Sequence, residues 1–123
     1  MSKNVRIPGP DHPIAITPLA KRVTVSIGDT VIAASRHALS LKEADYPAVL
    51  YIPRADAHME LLVRSQHTTH CPYKGDCNYF SIPSAGARGE NAVWTYEHPH
   101  EAVAAIAGHL AFYPDRVDLD VEE

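Results

Sequence analysis

The chain has 123 residues, 46% hydrophobic and 21% charged, with 11 Lys plus Arg against 15 Asp plus Glu and a formal charge of −4. That length gives room for one domain with a core that needs no covalent staples, and the composition excludes intrinsic disorder and collagen-like repeats. The acidic balance argues against nucleic-acid binding, which leaves a basic footprint; the clusters Lys21-Arg22 and Arg36-His37 are short, and residues 115–123 are acidic.

Residues 1–20 hold Pro8, Pro10 and Pro13, lack an apolar run of signal-peptide type, and read as an extended lead-in packed by Ile14, Ile16 and Leu19. Residues 21–123 read as a single β-rich domain. Val23, Val25 and Ile27 alternate with polar neighbours, as in a half-buried strand. Gly28-Asp29 then suits a type II′ turn into a strand from Thr30 to Ala33. Ser40-Leu41-Lys42-Glu43 has the form of a capping box, yet Leu39 and Leu41 alternate, and a strand followed by a turn is favoured. A buried strand spans 48–52 between Pro47 and Pro53. Met59, Leu62 and Val63 then predict a short helix starting near Ala55. Residues 65–76 read as a polar loop, 78–82 as a strand and 83–91 as a hairpin loop. A strand follows at 92–96, with Ala92, Trp94 and Tyr96 on one face. A helix is expected over 101–107, stopped by Gly108, and two last strands at 110–113 and 117–121. The expectation is a mostly-β domain of about seven strands with one or two short helices.

Several constellations carry chemistry. Cys71-Pro72-Tyr73-Lys74-Gly75 sets a thiol near Lys74 and behind His70, so Cys71 could act as a thiolate nucleophile with His67 or His70 as base. The plainer reading is a tight turn fixed by Pro72 and Gly75. His67, His70, Cys71 and Cys77 are zinc ligand types without the paired C-x2-C spacing of structural zinc sites. No metal and no cofactor is therefore assigned, with zinc as the alternative. Arg54 could clamp an anion at a strand end, or it and Asp56 could satisfy each other. Trp94 and Tyr96 could wall a pocket or fill a core. Asp118 and Asp120 share a strand face and read as a solvated edge.

Four linked motifs then resemble a known family. Tyr51-Ile52-Pro53-Arg54-x-Asp56, Cys71-Pro72-Tyr73-Lys74-Gly75-Asp76-x-x-Tyr79, Asn91-Ala92-Val93-Trp94-x-Tyr96-x-x-Pro99 and Ile106-Ala107-Gly108-x-x-Ala111-Phe112-Tyr113 are similar to the family called domain of unknown function 427. The resemblance runs from about Val23 to Val121. It implies a small all-β domain of the Mss4-like, or β-tent, kind, found chiefly in bacteria and fungi. Zinc, common in that fold on C-x2-C pairs, is not carried over, since the pairs are lacking. A nucleotidyltransferase label has been attached to the family. Such enzymes need a Gly-Ser turn and metal-binding carboxylates, of which Asp118 and Asp120 offer half, so that activity is not expected. Cys77 departs from the small residue usual there.

The function expected is binding of a small anionic or carbonyl-bearing ligand in a cleft lined by Tyr51, Arg54, Asp56, Tyr73, Lys74, Trp94 and Tyr96. A thiol enzyme using Cys71, and a protein-interaction or homodimerisation domain, are the alternatives. A cytoplasmic protein without membrane or nucleic-acid partners is expected.

Overall fold

The computed structural model describes residues 5–122; residues 1–4, read as part of the lead-in, and Glu123, the end of the acidic tail, lie outside the described residues. Ten strands run through the described residues: β1 (Ile14–Leu19), β2 (Val23–Ile27), β3 (Thr30–Ser35), β4 (Ala38–Glu43), β5 (Val49–Tyr51), β6 (Val63–Cys71), β7 (Gly75–Ser81), β8 (Val93–Thr95), β9 (Leu110–Phe112) and β10 (Asp118–Val121). All pair antiparallel, in the orders β1-β4-β5, β10-β2-β3 and β6-β7-β8-β9. The fold is mostly β, as the alternating pattern predicts. No helix among the described residues is long and apolar enough to cross a membrane.

The β2–β3 hairpin closes on Gly28-Asp29, with Ile27 opposite Thr30 and Gly28 at φ 57°. Only the first loop residue takes a positive φ, the signature of a type II′ turn. A bulge follows between Val25 and Ser26, which leaves Ile32 unpaired but fully buried. The ambiguous Ser40-Leu41-Lys42-Glu43 stretch is the end of strand β4, and its turn comes at Ala44.

Two of the sheets are joined. Ile52 and Leu110 exchange both backbone hydrogen bonds, at 2.7 and 2.8 Å, so β1-β4-β5 continues into β9-β8-β7-β6. Side chains then divide by period two between two cores. One side carries Ile52, Phe80, Ile82, Val93, Leu110 and Phe112, packed on Val23, Val25 and Ile32 of the β10-β2-β3 sheet. The other carries Leu41, Tyr51, Cys77, Tyr79, Tyr96 and Ala111, covered by Val103 and Ile106.

Three expectations are corrected. The helix predicted from Met59, Leu62 and Val63 is two 3-10 turns, Arg54–Asp56 and Met59–Leu61, while Val63 opens β6. Backbone at 57 and 58 is held by β3 instead, through the Ala33/Ala57 bridge and a 2.8 Å bond from His58 N to Ile32 O. Isolated turns this short cannot propagate an α-helix. The polar loop at 65–76 is mostly β6 and the start of β7; β6 is an outer strand, so its ladder is satisfied without an apolar pattern. The stretch Glu101–Ile106 is 3-10, interrupted at Val103, and ends before Gly108 at φ 71° as expected.

Candidate functional site

The second core does not close over its own sheet face. Leu41 and Glu43 of β4, Val49 and Tyr51 of β5, Tyr79 of β7, and Trp94 and Tyr96 around β8 reach the same side by strand alternation. With Tyr46, Pro47, Lys74 and Tyr113 they line a cavity of about 190 Å³. Sequence-distant strands thus build one hollow because their alternate residues share a face.

Lys74 is the cationic element of this hollow. It ends the turn after β6, where its N–H donates to Cys71 O at 3.2 Å and its carbonyl accepts from His100 N at 2.9 Å. Gly75 follows at φ 112°, a left-handed conformation, and a Cβ there would only touch His100 and the His98 carbonyl at ordinary contact distance. The Lys74 side chain is 10% exposed, its ammonium donating to Glu43 Oε1 and lying 3.7 Å from Cys71 Sγ. It also sits 5.9 Å from the Tyr96 ring centroid. Glu43 takes a second partner in His12, at 2.7 Å. Burial by itself raises the Glu43 carboxyl, but hydrogen bonds and charge from Lys74 and His12 outweigh it and hold the carboxyl below its ordinary value.

The aromatic walls support one another. Trp94 Nε1 donates to Tyr51 Oη at 3.2 Å, their rings edge-on at 6.4 Å, and Tyr113 packs on Trp94 at 4.6 Å. Tyr79 shares a 3.0 Å hydrogen bond with Thr69 and is covered by His67. Burial pushes Tyr51, Tyr79 and Tyr96 well above the ordinary phenol range, so each stays a neutral hydroxyl able to donate or accept. Burial likewise raises the Cys77 thiol.

Of the residues expected to line a site, Tyr51, Lys74, Trp94 and Tyr96 come together here, and Arg54, Asp56, Tyr73 and Cys71 do not line the hollow. Arg54 is on the far face. Its guanidinium donates to Gly108 O, Thr95 Oγ1 and Glu97 and lies over Phe80, all beyond the sheet from Trp94. The cause is alternation, since Thr95 and Phe80 point opposite to Trp94 and Tyr79. Asp56 accepts from Ser35 Oγ at 2.6 Å rather than pairing with Arg54. Tyr73 stacks flat on His12 at 4.0 Å, steadying the partner of Glu43. Cys71 is half-buried against the second core, and its expected bases are engaged elsewhere, His67 on Tyr79 and His70 with Asp76 at 2.8 Å. The described residues contain no cluster of three or more His, Cys, Asp or Glu placed to hold a metal. Asp118 and Asp120 are exposed on β10.

A family model described as domain of unknown function (DUF427) matches residues 15–123. The chain belongs to this family. No curated protein matches it. His12, which completes the charge network at Glu43, precedes the residues that the DUF427 model matches.

Sequence reasoning missed Glu43, Tyr46, Tyr79 and Tyr113 as wall residues of this DUF427 domain. A signal existed for two of them. Glu43 continues the inward series Leu39, Leu41, and Tyr79 lies directly opposite Trp94 in the β7–β8 register. The register itself is long-range and not written in either strand.

Proposed function

We propose that the cleft binds a small, neutral, carbonyl-bearing ring. The observation that carries this reading is that one buried ammonium, the Trp94 ring and several protonated phenols line a single cavity. An ammonium has three N–H donors; Glu43 and Cys71 take two of those on Lys74, which leaves one for a carbonyl oxygen. An anion fits less well. Glu43 already offsets Lys74: at an effective dielectric constant of 20 its repulsion of a second carboxylate about 4 Å away, about 4 kcal/mol, cancels most of the attraction that the ammonium gives, and the carboxylate's lost hydration is left without compensation. The volume is apt, because an apolar protein cavity of about 150 Å³ accepts benzene. The thiol-enzyme reading has less behind it, since Cys71 is outside the lining and its histidine partners are occupied.

Trp94 is the only tryptophan and lines the cleft, so tryptophan emission reports on this part of the molecule. Titration with benzamide is expected to change that emission saturably, with a Kd on the order of 1 mM for so small a ring, and benzoate to bind at least about tenfold more weakly. No saturable response to benzamide would overturn the reading. So would a response of equal strength in a folded Lys74→Met variant.

A further inference from the structure

A second, larger depression of about 600 Å³ adjoins the aromatic hollow, and the two share Glu43, Tyr46, Pro47, Val49 and Trp94 in their walls. Beyond that shared rim the chemistry changes. The added walls are Ala48, Leu50, Phe112, Pro114 and Leu119, with no charged or hydrogen-bonding side chain among them. The ammonium therefore lies in one of two adjoining depressions, and the aliphatic surface in the other, which runs past the single Ile52/Leu110 bridge from Trp94 and Val49 to Leu50, Phe112 and Leu119 of the first core. Tyr46, 65% exposed, stands at the junction of the two parts.

From this shared wall we infer that the ligand of the cleft is amphiphilic: a polar ring seated on Lys74 and Trp94, carrying a hydrocarbon arm that passes Val49 and lies along Leu50, Phe112 and Leu119. This rests on the reading of the cleft as a ring-binding site. Two features fix the direction of the ligand. The ammonium can meet a carbonyl only in the smaller part, and beyond the shared wall the larger part adds only apolar side chains, with no polar side chain that would lose its water. Leu50 and Leu119 are half-buried, which leaves apolar surface for an arm to cover. The smaller part alone has room for one ring, whereas ligand pockets commonly run to roughly 300–1,000 Å³, a range the two adjoining depressions together enter.

The test is a homologous series read through Trp94 emission: benzamide, 4-butylbenzamide and 4-hexylbenzamide. Each buried methylene is expected to tighten binding by about threefold to fourfold, so the hexyl compound should bind about 700 to 4,000 times more tightly than benzamide if the whole arm is covered. Ala48→Glu sets a carboxylate on the exposed rim of the larger part, where it should fold without cost, and is expected to remove most of the gain with chain length. If benzamide binds and the longer compounds bind no better, the amphiphile is overturned while the ring site stands. A gain with chain length that Ala48→Glu leaves intact also overturns it, because the arm then lies elsewhere. If benzamide fails and the alkylated compounds fail with it, the ring site itself is lost.

Discussion

Glu43 faces Lys74 from the turn after β6 and His12 from the lead-in, and these two partners keep its folded-state pKa below the ordinary 4.5. The sign follows from linkage: a carboxyl whose folded value is depressed contributes stability that is full above its unfolded value and lost as the pH falls through the folded one. Urea unfolding is therefore expected to show a loss of stability that begins near pH 4.5 and grows below it. Glu43→Gln, at a side chain only 16% exposed, should cost about 1–2 kcal/mol at pH 7 and flatten the acid limb. A variant that keeps the full acid slope would assign that slope to other carboxyls, Glu97 between Arg54 and Arg64 first among them.

At the scale of elements, the β6–β7 turn does most to place the site, because it aims Lys74 while Gly75 turns the chain at a φ that side chains other than hydrogen rarely take. Gly75→Ala is expected to lose about 1–2 kcal/mol by urea titration and to weaken benzamide binding together. Unchanged values on both counts would mean that the turn relaxes without moving Lys74. The elements also divide by how they were written in the sequence. The β2–β3 hairpin was legible because both signals, alternation at Val23, Val25 and Ile27 and glycine first in the turn, are local. Strand β6 was not, because an outer strand such as Val63–Cys71 is stabilised by one neighbour and can be polar throughout. The turns at 54–61 misled for a related reason: Met59 and Leu62 are placed inward by contacts with β3, and a two-turn segment can mimic helical spacing. Half of the site was legible for chemical reasons, in that aromatics and lysine near turns attract notice. Arg54 attracted the same notice and went to the far face, since which side of a sheet a turn residue reaches is decided by register with strands dozens of residues away.

For the molecule as a whole, the Ile52/Leu110 link makes the two cores opposite faces of one continued sheet, so neither has an independent boundary at which to melt. A single cooperative transition is expected, with Trp94 emission and far-ultraviolet circular dichroism giving coincident urea midpoints. Midpoints that separate would mean that the β10-β2-β3 layer unfolds apart from the site. The stacking of His12 on Tyr73 has a practical bearing on how the molecule is prepared. A recombinant form trimmed to the family-matched stretch beginning at residue 15 would amputate an imidazole that braces Glu43, so affinity and acid tolerance recorded on such a fragment would describe a weakened relative of the intact chain.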